Sequence, residues 1–378
     1  MKIISVAAIP VRLPMRRPMK MAGVVIAAAD NLLVRIASDS GLVGWGEAAS
    51  APTMTGELLE GMAAAVRYLA PSLLGQPLGR RDDLAAIEIQ MDHALHGNAS
   101  GKAAIDMALH DLLGKTLGLP VHALLGPQRR SRVPALWLLG TGQLDSDVAE
   151  ARARQADGCV AFKIKVGVGD PLADAQRTRA ICAALAGGPG GPLPPLICAD
   201  ANQGWTLAQA SAYLAALDGA ALDFLEQPLA GDDLDGMRCL AAGTTVAIGC
   251  DEGVHSQADL RRHHEQHAAA GCSLKLIKLG GLQAVYRAAL LCQSLDMKVN
   301  LACKVAESSI ASAAVLHLAA ALPALDWGVS LSSQYLADEV VRQPLQVAAG
   351  HAAVPAGPGL GVEVDEAQVA RYRWALGA

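Results

Sequence analysis

From residue 133 onward, short apolar runs alternate with amphipathic stretches of helical period. The runs are bounded by polar or glycine residues, which is typical of buried strands in a parallel sheet. Eight such runs cover residues 133–138, 160–164, 196–199, 222–225, 246–249, 274–277, 299–302 and 327–331. The helical stretches between them include residues 207–217, 257–269 and 282–295. Eight strands that alternate with helices predict a closed α/β barrel of the TIM type.

Residues 1–125 have a different pattern, because strands are followed by helices instead of alternating with them. Strand patterns at 3–13 and 31–38 lead through a turn at 41–46 to a third strand, and helical patterns follow at 57–69, 84–96 and 101–115. This order predicts a separate α+β domain. The barrel is then expected to span residues 126–345, with a Gly- and Pro-rich loop at 187–195 away from the chemistry. The tail, residues 346–378, is expected to return to the N-terminal domain.

Composition narrows the class of protein. The chain has 378 residues, of which 52% are hydrophobic and 18% charged, so two domain cores are the natural expectation. A formal net charge of -5 argues against a nucleic-acid partner, and no apolar stretch has the ~18 residues of a membrane span. Eight cysteines are scattered without a CxxC pair, which favours reduced thiols in a cytoplasmic protein.

Charged residues stand at the ends of five consecutive predicted strands. They occur in the segments Lys163-Ile164-Lys165, Asp200-Ala201-Asn202, Glu226-Gln227-Pro228, Asp251-Glu252 and Lys275-Leu276-Ile277-Lys278. Because the carboxyl ends of barrel strands meet at one mouth, these side chains are expected to converge there. A single acid after a strand is usually a helix cap or an ion-pair partner, but three acids and two lysines at successive strand ends favour a catalytic site.

The three acids and two of the lysines suit one kind of chemistry. Asp200, Glu226 and Asp251 offer the carboxylate oxygens that a hard cation prefers, so Mg²⁺ is expected, with Mn²⁺ as the alternative. Such a cation stabilises the enolate that forms when a proton α to a carboxylate is removed. Lys165 and Lys275 are predicted to face each other across the mouth as proton-transfer groups, since nearby positive charge favours a neutral amine.

Three further residues of these segments have less specific predictions. Lys163 is interpreted as a structural partner of the acids or as a contact of the substrate carboxylate. Lys278 is predicted to be solvated or structural, because its alternate position directs it elsewhere. Asn202, beside the acids, is a candidate substrate contact.

Together the five segments resemble the enolase superfamily, and specifically its mandelate racemase and muconate lactonizing enzyme subgroup. The likeness extends through residues 200–205, Gly280-Gly281, the predicted helix 104–115 and Leu124-Leu125-Gly126, so it covers nearly the whole chain. The resemblance implies a modified TIM barrel, (β/α)7β, and an α+β domain at residues 1–125 that caps it. It also implies a small carboxylate substrate and a homo-oligomer.

The resemblance further implies roles for single residues. The Mg²⁺ ligands would be Asp200, Glu226 and Asp251, and the acid/base pair on opposite faces of the substrate would be Lys165 and Lys275. Lys163 would lower the pKa of Lys165 and neutralise the substrate carboxylate. Loops at 15–24 and 50–55 would shape the pocket, which makes Met19 and Met54 candidate substrate contacts; ordinary core packing is the alternative for both.

The scaffold does not fix the overall reaction. Two opposed lysines can return the proton from the other face, which gives racemisation or epimerisation. One lysine can instead protonate a leaving hydroxyl, which gives dehydration, and cycloisomerisation is the third possibility. A catalytically silent carboxylate-binding relative is the non-enzymatic alternative, but the five intact key positions argue against it.

The eighth predicted strand narrows the substrate. The Asp-x-Asp pair with which the family's dipeptide epimerases hold an ammonium group is replaced by Ser330-Leu331-Ser332-Ser333. Trp327, just before it, is a candidate for cation–π contact with a ring or quaternary ammonium, with barrel packing as the alternative. Residues 303–309 and 326–328 resemble members that act on proline-type amino acids and betaines. The leading hypothesis is a racemase or epimerase of an amino-acid-like carboxylate, and the runner-up is a dehydratase of a hydroxyproline-type substrate.

Overall fold

The computed structural model describes residues 1–21, 24–186 and 194–375. The N-terminal part is a three-stranded antiparallel sheet in the order β1-β2-β3, with helices packed on one side. Its elements are β1 (Ile3–Met21), β2 (Val24–Ser38), β3 (Val43–Ala49), α1 (Leu59–Leu73), α2 (Arg81–Ala94), α3 (Ala99–Leu117) and α4 (Val121–Leu125). Most of the predicted loop at 187–195 falls outside the described residues, as do residues 22 and 23 of the predicted loop at 15–24.

Two glycines on β3 allow helix α3 to lie directly against the sheet. A Cβ atom on Gly44 would collide with the backbone carbonyl of Ala108, and one on Gly46 with that of Ala104. The close approach buries α3 along almost its whole length, including Ala104, Ile105 and Ala108. The Gly-Trp-Gly pattern in the sequence is therefore a packing requirement of this domain.

The second part is a parallel barrel that begins after a short lead-in strand, β4 (Arg132–Pro134). Its strands are β5 (Trp137–Leu139), β6 (Ala161–Lys165), β7 (Leu196–Asp200), β8 (Phe224–Glu226), β9 (Ala247–Cys250), β10 (Gly271–Leu274), β11 (Lys298–Ala302) and β12 (Val329–Ser330). They follow one another in chain order around the sheet. The ring nearly closes where Ala135 pairs with Val329 and the Leu136 N–H donates to the Val329 carbonyl at 2.8 Å. The predicted barrel with an N-terminal α+β cap is confirmed.

Helices follow the barrel strands and cover the outside of the sheet. They are α5 (Leu144–Ala156), α6 (Pro171–Ala186), α7 (Leu207–Ala216), α8 (Leu234–Ala242), α9 (Gln257–Glu265), α10 (Leu276–Leu279), α11 (Leu282–Ser294) and α12 (Ser309–Ala321). Helix α12 is buried at every position because it packs between the barrel and the N-terminal domain. None of the helices in the described ranges has the length and apolarity needed to cross a membrane.

The sixth barrel strand differs from its prediction. Residues 274–277 are predicted as a strand, but β10 ends at Leu274 and the chain turns at once into α10. The apolar run continues because Ile277 packs into the core of the N-terminal domain and Leu276 into that of the barrel. A short apolar run does not by itself distinguish a strand from a buried helical turn.

Trp327 lies at the start of the eighth strand, at the amino-terminal end of the barrel. Its ring stacks on Phe224, with the centroids 4.0 Å apart and the planes 9° from parallel. It also covers Gly249 and Gly271, where a Cβ atom would lie 3.0 Å and 2.5 Å from the indole. The prediction that Trp327 contacts substrate is wrong, because the indole fills the barrel floor at the opposite end from the strand termini that carry the acids.

The tail contacts both of the preceding parts. After a 3-10 turn at Ser333–Tyr335, β13 (Val347–Ala348) and β14 (His351–Ala353) pair with β4 in a small antiparallel sheet. Helix α13 (Glu366–Arg371) follows, and the chain then runs beside β1. There the Arg12 N–H donates to the Tyr372 carbonyl at 2.9 Å, and the Trp374 N–H donates to the Pro10 carbonyl at 2.8 Å.

Candidate active site

The register of three neighbouring strands places charged residues side by side. Lys165, the last residue of β6, pairs with Asp200, the last residue of β7, which in turn pairs with Glu226 at the end of β8. Asp251 directly follows β9, and Lys275 directly follows β10. The three acids are at most 2% exposed. The predicted convergence of these side chains at the carboxyl end of the barrel is therefore observed.

Each acid in this row is engaged by lysine. The Lys165 Nζ lies 2.6 Å from Asp200 Oδ2, and the Lys163 Nζ lies 2.5 Å from Glu226 Oε2. The Lys275 Nζ forms an ion pair with Asp251 Oδ2. Lys165 thus approaches the acids from the β6 side of the barrel mouth and Lys275 from the β10 side.

Lys278 is a structural member of this group. Its side chain is fully buried, its Nζ lies 2.7 Å from Asp251 Oδ1, and it donates to the Ser273 carbonyl at 3.0 Å. A solvated position for Lys278 is therefore wrong, and the structural alternative describes it. The side chain turns inward because it stands on the helical turn α10 and not on a continuing strand.

The pKa values of the three acids are shifted in different directions. Burial alone would raise the pKa of Asp200, but Lys165 and Lys163 hold it below the usual value. Burial opposes the charge of Asp251 as well, but Lys275 and Lys278 together hold its pKa well below the usual value. The pKa of Glu226 is raised, by burial first and then by repulsion from Asp200. Mutual repulsion of buried carboxylates is the situation that a divalent cation relieves.

Lys163 stays charged in this setting. Burial would lower its pKa, but Glu226 and Asp200 raise it well above the usual value for lysine. A permanently charged ammonium cannot remove a proton, so Lys163 suits the binding of a carboxylate better than the role of a base.

The carboxylates fit a metal ion by their chemistry, although they are not yet arranged around one. Within the described residues, no group of three His, Cys, Asp or Glu side chains is already gathered as a metal cage. Glu226 Oε1 and Glu252 Oε2 are buried without a hydrogen-bond partner in the described part of the chain. Spare carboxylate oxygens from adjacent strand ends are the donors that Mg²⁺ takes, so Asp200, Glu226 and Asp251 fit that ion.

A cavity with about 540 Å³ of empty space, part of it open to solvent, lies over the acids. Lys163, Lys165 and Lys275 all line it, together with Asn202 and Met54. The described residues that line the cavity do not include Met19, which pairs with Ile26 across the β1–β2 hairpin. Of the two methionines predicted to contact substrate, the structure brings only Met54 to the cavity.

Asn202 and Met54 are held against the two catalytic lysine candidates. Asn202 Oδ1 accepts from Lys165 Nζ at 2.6 Å, and Asn202 Nδ2 donates to Glu252 Oε1 at 3.0 Å. The Met54 sulfur lies 3.7 Å from Lys275 Nζ. Asn202 therefore fixes the direction of Lys165, and Met54 shields Lys275 from the side of the N-terminal domain.

Four more polar residues line the cavity, which are Lys304, Ser330, Ser332 and Tyr335. Sequence reasoning used the segments that contain the first three but assigned none of them a contact in the site, and it did not consider Tyr335. Ser330 and Ser332 flank the end of β12, and the Tyr335 hydroxyl accepts from the Leu138 N–H at 3.3 Å. Lys304 follows β11 by two residues. The rule that found the acids, a charged residue just after a barrel strand, also selects Lys304.

Comparison with known proteins agrees with this geometry. Residues 3–126 match the model of the mandelate racemase / muconate lactonizing enzyme N-terminal domain, and residues 146–368 match that of the enolase C-terminal domain-like family. A chloromuconate cycloisomerase from Delftia acidovorans is 31% identical over 98% of this chain and 99% of its own. An N-succinyl-L-Arg/Lys racemase from Bacillus cereus is 29% identical over 97% of this chain and 96% of its own.

A solved structure gives the same result in three dimensions. The muconate lactonizing enzyme from Pseudomonas fluorescens, complexed with muconolactone, superposes with a TM-score of 0.91 at 29% identity, covering 99% of each chain. Two family models together span most of the chain, and the relatives match it from end to end. These matches assign the chain to a family. The protein is an enzyme of the enolase superfamily and belongs to its mandelate racemase and muconate lactonizing enzyme subgroup.

Proposed function

We propose that this enzyme removes the proton α to the carboxylate of a small acidic substrate and returns a proton from the opposite face, as a racemase or epimerase. One observation carries the proposal: Lys165 and Lys275 line the same cavity and approach the acids from the β6 and the β10 side respectively. A second amine on the far side is what proton return with inversion requires.

The side chains divide the work as follows. Lys163, which remains charged, neutralises the substrate carboxylate. Lys165, directed by Asn202, and Lys275, shielded by Met54, exchange the α-proton from the two faces. Asp200, Glu226 and Asp251 would hold Mg²⁺, which when bound supplies positive charge to the enolate oxygens.

The lining of the cavity supports an acidic substrate in preference to a betaine. Trp327, on which a cation–π contact would depend, lies in the barrel floor. Four lysines line the cavity against two acids, Asp200 and Glu226, which the metal ion would occupy. A quaternary ammonium group would therefore meet positive charge with no free carboxylate among the described lining residues to balance it.

A cycloisomerase is the second candidate, and the relatives favour it. The matched protein from Delftia acidovorans is a chloromuconate cycloisomerase, whereas the one from Bacillus cereus is a racemase. The two reactions differ in their demand on the lysines. Ring closure yields an enolate that takes up one proton from one face, so a cycloisomerase needs only one of the two amines.

Hydrogen exchange in D₂O separates these candidates. The protein with Mg²⁺ is incubated with both enantiomers of several N-succinyl amino acids, and α-deuterium is followed by NMR. We expect exchange in both enantiomers. Lys165→Ala and Lys275→Ala should each slow exchange about 10²–10⁴-fold for the enantiomer whose proton that amine removes.

The control is Lys298→Ala, which removes a lysine at the opposite end of β11 that pairs with Asp326 at the surface. This variant should exchange at the rate of the unaltered protein. Exchange that survives in both active-site variants would exclude the lysine assignment. Conversion of a muconate by ring closure, with no exchange at a saturated α-carbon, would support the cycloisomerase.

A further inference from the structure

Glu252 is a buried acid beside the active site to which the proposed chemistry assigns no role. It follows Asp251 directly and is 7% exposed. The described residues that line the cavity do not include it. A substrate in the cavity therefore does not meet the Glu252 carboxyl group, which can affect the reaction only through a neighbouring side chain.

That neighbour is Asn202, which separates Glu252 from Lys165. Asn202 Nδ2 donates to Glu252 Oε1 at 3.0 Å, and Asn202 Oδ1 accepts from Lys165 Nζ at 2.6 Å. Both Asn202 and Lys165 line the cavity. The three side chains thus form one hydrogen-bonded row, which leads from a buried carboxyl group to a proton-transfer amine.

The order of donors and acceptors in this row determines which way the Asn202 amide points. An ammonium group only donates and a carboxylate only accepts, whereas an amide has one end of each kind. With Glu252 on one side, the amide nitrogen turns towards it and the amide oxygen is left for Lys165. Without that acceptor, the amide is free to rotate by half a turn and to present its N–H groups to the ammonium, which would turn Lys165 away.

The backbone at both ends of the amide is fixed by other contacts. Asn202 has a φ of 43°, in the left-handed region that asparagine tolerates, and its N–H donates to Asp200 Oδ1 at 3.0 Å. On the other side, Gln227 Oε1 accepts from the backbone N–H groups before and after Glu252 at 2.8 Å and 3.1 Å. These contacts build the two turns, so the direction of the amide is what the hydrogen bond between Asn202 and Glu252 adds.

Stability alone does not account for an acid at position 252. In the part of the chain that the structure describes, Glu252 Oε2 is buried without a hydrogen-bond partner. Lys275 and Lys278 form their ion pairs with Asp251 instead. A buried carboxyl group with so few partners is unfavourable for the fold, which favours a functional reason for its presence.

We infer that Glu252 is a positioning residue for Lys165: it orients the Asn202 amide and thereby directs the amine that serves one face of the substrate. The inference rests on the proposed function, in which two amines serve two faces. Lys275, on the other face, is paired with Asp251 and lies against Met54, outside this row. Loss of Glu252 should therefore affect the two faces unequally, which the loss of a residue that only stabilises the fold would not do.

Exchange of the α-hydrogen in D₂O, followed separately for the two enantiomers at saturating Mg²⁺, measures this inequality. The enantiomer that depends on Lys165 is the one that exchanges slowly in Lys165→Ala. Glu252→Leu has no acceptor for Asn202 and should slow the exchange of that enantiomer about 10-fold or more, the effect of one lost hydrogen bond to a charged group. The other enantiomer should change by less than about twofold. Equal losses for both enantiomers, or no loss, would overturn the inference.

Further variants separate positioning from packing. Glu252→Gln keeps an acceptor oxygen and the shape of the side chain, so it should recover most of the lost exchange. Glu265→Gln, at an exposed site on α9, is the control and should change neither enantiomer. In Asn202→Ala the row is already broken, so the addition of Glu252→Leu should cause no further loss. Additive losses in the double variant would show that Glu252 acts without Asn202 and would overturn the inference.

A crystal structure of ligand-free Glu252→Leu gives a result that does not depend on turnover. We expect the Lys165 Nζ to leave hydrogen-bonding distance of Asn202 Oδ1, whereas the ion pair between Lys275 and Asp251 is kept. An unmoved Lys165 would overturn the inference. If the unaltered protein exchanges neither enantiomer but Lys165 is displaced in the variant, the proposed reaction fails and the positioning role of Glu252 stands.

Discussion

At the scale of single residues, two buried histidines join the N-terminal domain to the barrel. His122 on α4 and His317 on α12 are stacked with ring centroids 5.4 Å apart, and their Nδ1 atoms are 3.2 Å apart. The His317 Nε2 lies 3.1 Å from the Leu360 carbonyl. Since a carbonyl only accepts, His317 carries its proton on Nε2 and its Nδ1 accepts from His122. The His317 ring is therefore neutral in this arrangement.

This pair predicts a loss of stability in acid. Burial lowers the pKa of His317 to about 4 and also lowers that of His122. Between pH 6.5 and 4 the unfolded chain thus binds more protons than the folded one, so the free energy of unfolding decreases as the pH falls through this window. The lowered pKa of His317 decreases the free energy of unfolding by roughly 3 kcal/mol at pH 4. When denaturant unfolding is measured from pH 4 to 7.5, the free energy of unfolding should depend less steeply on pH in His317→Gln than in the unaltered protein.

The control for that series is His93→Gln, which alters an exposed histidine on α2. Its free energy of unfolding should show the same pH dependence as that of the unaltered protein. Equal pH dependences of the free energy of unfolding in His317→Gln and the unaltered protein would contradict a neutral, buried His317.

The residues that sequence reasoning placed correctly share a simple geometric cause. Asp200, Glu226 and Lys165 are terminal residues of parallel strands, and the ends of such strands converge in any barrel. Trp327 precedes its strand, and only the register shows that this puts the ring at the other end of the barrel. Lys278 turned inward because a helical turn replaced the expected strand, which the apolar pattern alone does not reveal.

At the scale of elements, the first turn of α12 is fixed by an acid from the N-terminal sheet. Glu47 on β3 accepts from the Ser308 N–H at 2.9 Å, from the Ser308 hydroxyl at 2.6 Å and from the Ala311 N–H at 3.1 Å. The first N–H groups of a helix have no acceptor within the helix, so a carboxylate beside them is favourable. The same turn follows the segment that carries Lys304, so the contact holds the capping domain against one wall of the cavity.

Removal of this carboxylate should weaken the whole fold. Glu47→Ala leaves buried N–H groups at the start of α12 without an acceptor, which is expected to lower the free energy of unfolding by roughly 2–4 kcal/mol. Urea unfolding measures the change, and Glu60→Ala, at an exposed position of α1, is the comparison and should differ by less than about 0.5 kcal/mol. A similarly small effect for Glu47→Ala would show that the contact does not stabilise the domain junction.

The existence and order of the elements could be predicted more securely than their ends. Period-2 and period-3.6 patterns identified the three N-terminal strands and the alternation of the barrel. The extents depended on contacts that are remote in sequence. The hairpin of β1 and β2 runs to Met21 and Val24, beyond the predicted strands, and the lead-in strand β4 is separate from β5 because it pairs with β14 from the tail.

At the scale of the whole molecule, the cavity lies between the barrel mouth and the N-terminal domain. The lysines and acids come from the barrel, whereas Met54 and the edge of the adjoining groove come from the N-terminal domain. Helix α12, its acid partner Glu47 and the tail beside β1 hold the two parts together. A ligand that fills the cavity should therefore stabilise both parts at once, and the same applies to a cation bound by the acids.

Binding of Mg²⁺ is accordingly expected to raise the melting temperature of the folded protein. A cation that binds only the native state, at about 100 times its dissociation constant, adds about 2.7 kcal/mol to the free energy of unfolding. For a chain of this length the increase corresponds to roughly 3–4 °C. Glu226→Gln should abolish most of the shift, because it removes a carboxylate from the row, whereas Glu265→Gln, at an exposed site on α9, should leave it intact. Thermal melts with Mg²⁺ and with excess EDTA measure both. If Glu226→Gln keeps the full shift, the cation binds elsewhere, and the three strand-end acids serve only as partners of the lysines.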